Sequence, residues 1–307
     1  MPPPDAEPTD HPEGARATRT VTPALLREWP LPPPGEDKNS RGSVLVVGGA
    51  ARTPGAAMLA GLAALRAGAG KLQMAVAEPA AVPLAIAVPE ALVAPLPADR
   101  ASGSVEAAAA DVVRDLAARA DVVCLGPGLD DAERTSALVS DLLLGLEGDA
   151  RVVLDAYALG ALSDHPEIGK RLPGRVLVTP NMSEAGILLG DRAPDPDRIA
   201  DAACEIASRY AVVVALRGAI ATPDGQAWTS GAGQAGLGTS GSGDVLAGLV
   251  AGLLARGAEP AQAAVWGAHL HATAGERLAA RVGPLGYLAR ELLDEAPAVL
   301  TELSVQY

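Results

Sequence analysis

The chain has 307 residues, with 37 acidic against 24 basic side chains and a formal net charge of −13. That balance excludes a general nucleic-acid binder, and it leaves open an anionic small ligand, which needs only a local positive site. Apolar residues make up 49% of the chain and aromatic residues only 2%, with no phenylalanine, so a large core must be packed from Ala, Val and Leu. Residues 1–36 are rich in proline with Asp, Glu and Thr, and most of this stretch reads as a disordered tail. The tail is set at 1–20 and a single domain at 21–307. No apolar h-region opens the chain, so no signal peptide is expected. No apolar run is long enough to span a bilayer, and no membrane partner is expected. Val21–Trp29 reads as a short helix with Thr22 as N-cap and Pro23 in its first turn.

From Ser43 onward, short β-branched runs alternate with alanine-rich helical stretches. Ser43–Val47 predicts a strand, Pro54–Ala69 a helix and Lys71–Val76 a strand. Ser104–Arg119 predicts a helix, Asp121–Leu125 a strand, Asp131–Leu146 a helix and Arg151–Leu154 a strand. A strand at Arg175–Val178 is followed by helices at Met182–Leu189 and Pro196–Ser208, then a strand at Ala211–Leu216. A turn at Pro223-Asp224-Gly225 separates two short strands. Helices at Asp244–Ala255, Pro260–Leu278 and Tyr287–Leu300 close the chain. Apolar strands separated by helices predict an α/β three-layer sandwich, a largely parallel sheet covered on both faces. Cys124 and Cys204 fall in apolar or helical contexts, which points to buried thiols in a reducing cytoplasm rather than a disulfide.

In such sheets, ligands collect beyond the carboxyl ends of the strands. Five loops with small or polar residues lie there: Gly48-Gly49-Ala50 leading to Thr53, Gly126-Pro127-Gly128, Asp155-Ala156, Thr179-Pro180-Asn181 with Ser183 and Glu184, and Arg217-Gly218. Each has a local explanation of its own; Ser183, for one, could simply cap its helix. A sixth stretch carries the most chemistry. Gly238-Thr239-Ser240-Gly241-Ser242-Gly243-Asp244 runs directly into an apolar helix. Unpaired amides at a helix start can cradle an anion, and glycines let the backbone approach it. Asp244 would repel a phosphate but could take a proton from a nucleophile facing one. It could also be only the acidic residue that the helix macrodipole favours in a first turn. The stretch is not a Walker A loop, since no Gly-Lys-Ser/Thr follows. It is not the dinucleotide fingerprint either, because it lies near the C-terminus.

The order of these motifs resembles the ADP/ATP-dependent NAD(P)H-hydrate dehydratases, a branch of the ribokinase-like fold. The likeness runs from about Val21 to Leu300. It rests on Val46-Val47-Gly48-Gly49 with Pro54-Gly55-Ala56-Ala57, on Leu65-Arg66-Ala67-Gly68-Ala69-Gly70, on Leu125-Gly126-Pro127-Gly128-Leu129 and on Val153-Leu154-Asp155-Ala156. Thr179-Pro180 with Glu184, Gly241–Gly248 and Leu270-His271 also fit. The resemblance implies dehydration of the 6S hydrates of NADH and NADPH, coupled to cleavage of ADP or ATP with Mg2+. It implies Asp244 as base and as a contact of the hydrate, with Gly55, Ala56 and Gly128 lining the hydrate site. It implies a nucleotide held near Gly241, Ser242 and Gly243. Asp155 corresponds to a structural or metal-linked acid, or caps a helix. No residue is assigned as a metal ligand. Asn181 stands where the family has a histidine and would contact substrate without carrying a proton. Arg217-Gly218 stands where the family has a lysine-glycine loop, which is shortened here, and would meet the nucleotide. The family's frequent N-terminal epimerase domain does not fit within residues 1–36. The resemblance also implies a homo-oligomer, with a tetramer as the first candidate. The alternatives are a ribokinase-like kinase of thiazole or pyrimidine type and a non-catalytic nucleotide-binding protein.

Overall fold

The computed structural model describes residues 18–231 and 235–304. In chain order, strand β1 (Arg19–Val21) and helix α1 (Pro23–Glu28) precede β2 (Ser43–Gly48), α2 (Pro54–Arg66), β3 (Lys71–Ala77), α3 (Glu78–Ala87) and β4 (Ala91–Leu96). Next come α4 (Ala110–Ala117), β5 (Val122–Leu125), α5 (Ala132–Leu144), β6 (Arg151–Leu154), α6 (Gly160–Asp164), α7 (Ile168–Arg171), β7 (Val176–Val178), α8 (Met182–Leu188) and α9 (Ile199–Tyr210). β8 (Val213–Leu216), β9 (Ala219–Ala221), β10 (Ala227–Ser230), α10 (Ser242–Ala255), α11 (Pro260–Arg281) and α12 (Leu292–Ser304) complete the fold.

The strands form one sheet in the order β1-β10-β9-β8-β7-β6-β5-β2-β3-β4. β4 through β8 pair in parallel, and β9 alone runs against its neighbours. Alternate residues feed two cores, as the period of a strand requires. Val44, Val46, Cys124, Val153 and Leu177 pack toward α2, α10 and α11. Leu45, Val47, Leu125, Val152 and Val178 pack toward α5 and α9. The chain moves outward from β2 to β3 and β4, then returns to the other side of β2 as β5. The crevice between the carboxyl ends of β2 and β5 is therefore the switch point at which ligands bind in sheets of this kind. At the opposite end, the Ser43 amide and hydroxyl both donate to the Asp121 carboxylate, at 2.8 and 2.7 Å, which fixes the β2–β5 register.

One helix pair places the site. A Cβ on Gly248 would lie 2.1 Å from the Ala60 carbonyl oxygen, and one on Gly252 would lie 2.3 Å from that of Ala64. Only glycine allows α10 to approach α2 so closely. Both contacts advance by four residues in the same direction, so α2 and α10 run parallel. One turn earlier, the same register brings Asp244 level with Ala56. The two helices thus present their N-terminal ends side by side, and their dipoles favour the same anion.

The structure departs from the sequence reading in several places, among them the unexpected short helices α6 and α7. Arg19 and Thr20, assigned to the tail, form β1 with Val21 and pair with β10; residues 1–17 lie outside the described residues. α3 and β4 were not expected, because Pro79, Pro83 and Pro95 interrupt their pattern. Pro79 sits in the first turn of α3, where no amide is needed, and Pro95 lies in an edge strand, where a missing amide breaks no central ladder. The helix expected over Ser104–Arg119 begins with a 3-10 turn at Ala107–Ala109, and Val105 instead bridges Ala98. The helix expected from Tyr287 starts at Leu292, after a 3-10 turn at Ala289–Glu291.

Candidate active site

The β2 and β5 loops are stitched together at the switch point. The Gly49 amide donates to the Pro127 carbonyl and the Ala50 amide to that of Gly128, both at 2.8 Å. The Thr53 hydroxyl, instead of capping α2, donates to the Gly128 carbonyl at 2.7 Å. Gly128 has φ +76°, and a Cβ there would lie 2.3 Å from the Thr53 carbonyl oxygen. No other residue fits that position. Gly128 and Ala56 are thereby brought together, since that same Cβ would be 3.0 Å from the Ala56 methyl group.

The two helix starts leave defined donors. At α10 the Ser242 amide is committed to the Thr239 carbonyl at 3.2 Å, and the Val245 amide to Gly241 at 3.1 Å. The amides of Gly243 and Asp244, and of Gly55 and Ala56 at α2, have no acceptor among the described residues. Gly55 and Gly243 both face open space, with no atom within 4 Å of an added Cβ. Four free amides at adjacent helix starts make a site for an anion.

Three carboxylates here act on one another through their charges. Asp244, half-buried, is pushed up to about 6, first by burial and then by the negative charge of Glu184. Asp155, 5% exposed, is pushed up to about 7, mainly by burial and further by Asp244 and Glu184. The Thr179 hydroxyl, which donates to its Oδ1 at 2.8 Å, opposes that rise. Glu184 is also raised by burial. Asp155 caps no helix, since its side chain turns to Thr179 instead. Cys124 lies beneath the cluster, and burial together with Asp155 and Asp244 keeps it a thiol.

Asn181, rather than Ser183, caps α8. Its Oδ1 accepts from the Ser183 and Glu184 amides at 2.8 and 3.0 Å, while the Glu184 carboxylate accepts from the Asn181 amide at 2.8 Å. This is a complete capping box, and only the Asn181 side-chain NH2 remains to meet a substrate. Arg217 and Gly218 form the two-residue turn between β8 and β9, with φ +45° and +82°. Positive φ at both positions is the requirement of a tight hairpin. Arg217 is exposed and has no ion-pair partner among the described residues. With Gly218 it lines a groove whose other wall comes from residues 196–201 and from Thr229 and Ser230. β8 lies two strands from β6, or about 10 Å, so this groove and the α10 start are separate parts of one edge. A contact the sequence only hinted at lies behind α10: His271, buried in α11, reaches Ser242.

Comparison with known proteins bears on the family and the fold. A family model described as NAD(P)H-hydrate dehydratase matches residues 44–298. The ADP-dependent (S)-NAD(P)H-hydrate dehydratase of Xanthomonas campestris pv. campestris is 47% identical over 290 residues, covering 93% of this chain and 97% of that one. The chain spans about half the length of the bifunctional NAD(P)H-hydrate repair enzymes it also matches. Among solved structures, the Bacillus subtilis ADP/ATP-dependent NAD(P)H-hydrate dehydratase co-crystallised with ATP/Mg2+ superposes with a TM-score of 0.76 at 27% identity, covering 94% of this chain and all of that one. A ribokinase-like superfamily protein from Enterococcus faecalis superposes equally well, with a TM-score of 0.76 at 22% identity, and shares the fold.

Proposed function

This chain belongs to the NAD(P)H-hydrate dehydratase family, and from that premise we propose that it returns the 6S hydrates of NADH and NADPH to the reduced cofactors at the expense of ADP or ATP. The observation that carries this reading is Asp244, a carboxylate of raised pKa set among four free amides at two parallel helix starts. The amides and the base have complementary tasks. Asp244 takes the proton of the hydrate's hydroxyl, and that oxygen attacks the terminal phosphoryl group. The bond from phosphorus to the departing nucleotide breaks, giving AMP from ADP. The free amides of Gly243 and Asp244 hold the charge on the transferring group. The ring nitrogen then expels phosphate from the 6-position, and loss of a ring proton restores the dihydronicotinamide. That last chemistry belongs to the substrate, and the protein orients it.

Gly55, Ala56 and Gly128 line the hydrate's side of the crevice, with the Asn181 NH2 within the same loop set. Gly241, Ser242 and Gly243 border the phosphoryl group, and Arg217 with Gly218 holds the far part of the nucleotide. Among the described residues no three His, Cys, Asp or Glu side chains stand ready to hold a metal unaided. Asp155 and Glu184 are hard oxygen donors whose charges are coupled to that of Asp244, and they would complement a magnesium ion bound mostly through nucleotide phosphates. When bound, that ion would supply positive charge to the phosphate oxygens. A homo-oligomer is supported by the exposed Val82, Ile86 and Leu92 on α3 and β4. A reducing, cytoplasmic setting is supported by Cys124 and Cys204, both free and buried.

The test is incubation with enzymatically hydrated NADH and ADP or ATP. The reading requires nucleotide-dependent return of reduced-nicotinamide absorbance with release of inorganic phosphate. A phosphorylated organic product that accumulates without that return would instead mark a small-molecule kinase.

A further inference from the structure

Ser242 opens α10, and His271 lies in the neighbouring helix α11. The His271 Nε2 is 2.9 Å from the Ser242 hydroxyl oxygen and 3.0 Å from the Ser242 carbonyl oxygen. Both residues are buried, at 3% and 9% exposure. A carbonyl oxygen can only accept. If Nε2 were bare, its lone pair would face that of the carbonyl at hydrogen-bond distance with no water between them. Nε2 must therefore carry the proton, and Nδ1 is the bare nitrogen. Burial pushes His271 down to about 4, so the ring is neutral near pH 7.

This tautomer has a consequence for Ser242. The Nε2–H donates to the carbonyl and the hydroxyl oxygen together, so the serine oxygen is an acceptor in this contact. Its own hydrogen stays unspent, and among the described residues no other acceptor for it is present. A buried hydroxyl hydrogen without an acceptor is costly. It lies in the same first turn as the free amides of Gly243 and Asp244. We propose that His271 is a positioning residue that holds Ser242 with its hydroxyl hydrogen directed to the anion at the start of α10. Ser242 is then a side-chain donor to the transferring phosphoryl group, added to the backbone amides. The inference rests on the proposed phosphoryl transfer for the identity of that anion, and on the local geometry alone for the tautomer.

Two measurements test it. In the full-length protein labelled with 15N-histidine, which has four histidines, long-range proton–nitrogen spectra near pH 7 should show His271 with Nε2 protonated and Nδ1 bare; His271→Gln assigns the signal. The opposite tautomer would overturn the proposal whatever the activity. In the second, ADP affinity and turnover are measured for Ser242→Ala, His271→Leu, the double variant and His271→Gln. Loss of one hydrogen bond to a charged acceptor predicts roughly a ten- to hundredfold drop for Ser242→Ala. His271→Leu should fall similarly, and the double variant should be no worse than Ser242→Ala. Glutamine, whose NH2 can stand in for Nε2–H, should recover most of what leucine loses. Losses that multiply in the double variant, or a Ser242→Ala protein as good as wild type, would contradict it. If wild type fails to dehydrate the hydrate, the proposed function falls, and the spectrum and ADP titration still decide this inference.

Discussion

At the start of α10, the polar groups of Ser242 are already engaged. The Ser242 amide is held by Thr239, its carbonyl and hydroxyl oxygens by His271, and the helix itself is locked against α2 by Gly248 and Gly252. At the β8–β9 turn the opposite holds. Arg217 is exposed, has positive φ and has no ion-pair partner among the described residues. The first region is organised before any ligand arrives, which suits the groups that meet the reacting atoms. The second leaves a charged side chain for the ligand to order, which suits a part that only holds. A non-glycine residue in the left-handed region costs about 1–2 kcal/mol, and such strain persists where something outside the turn compensates it.

Several substitutions would break or sharpen this contrast. The largest effect is expected at Asp244. Asp244→Asn should keep the fold and ADP binding and lower turnover by about 10²–10⁴, measured by steady-state kinetics alongside calorimetric titration. Because Asp244 is raised to about 6 and acts unprotonated, wild-type kcat/KM should fall as pH drops through about 6 and level off above it. An unchanged profile in that range would remove Asp244 from the role of base.

Asp155 tests the cost of the buried acid. Its pKa is raised from 3.8 to about 7 on folding, so the folded state binds more protons than the unfolded state between those values. Its contribution to stability is therefore full below about pH 4 and is lost as pH rises through about 7. Asp155→Asn can still accept from Thr179 and should gain on the order of 2–4 kcal/mol relative to wild type at pH 8, with the gain vanishing at pH 4. Urea unfolding at the two pH values checks this. An advantage that is equal at both would assign the effect to packing rather than charge.

Gly248→Ala tests the helix pair. Its methyl group would meet the Ala60 carbonyl, so a loss of about 1–3 kcal/mol in stability is expected, with lower turnover because Asp244 and Ala56 move apart. Arg217 tests the exposed region. Arg217→Ala should weaken ADP binding by roughly 1.5–3 kcal/mol while leaving hydrate binding alone. Arg217→Gly should lose the same affinity and yet gain about 1 kcal/mol in stability by relieving the turn. If neither variant changes ADP affinity, the hairpin is a structural turn and the contrast between the two regions fails.

Much of the site was legible in the sequence because its parts follow strands. Thr22 caps α1 as expected, with its hydroxyl oxygen accepting from the Leu25 amide. The loops after β2, β5, β6, β7 and β8 lie along one edge of the sheet, as its parallel order requires, with the β8 turn set apart from the start of α10. What stayed hidden depended on contacts between distant segments. The α2–α10 register, which levels Ala56 with Asp244, joins glycines and alanines that are common in any such chain. The pairing of Ser242 with His271 arises only when α11 folds back along α10. The cap of α8 is a different case. The spacing of Asn181 from Glu184 is a capping signature that the sequence displayed openly, where Ser183 had been offered as a possible cap; the Asn181 side-chain NH2 is still left for a substrate. α3 and β4 were missed because prolines that usually end elements sit here at a first turn, inside a helix and on an edge.

The central claim is that the hydrate's own oxygen, deprotonated by Asp244, attacks the nucleotide. It is tested most directly with hydrate carrying 18O in its hydroxyl group, incubated with the wild-type protein and ADP. The account predicts one phosphate released for each NADH regained, with the label in that phosphate. Label found in water, with phosphate released unlabelled, would mean that the nucleotide is cleaved apart from the dehydration and would contradict the role given to Asp244.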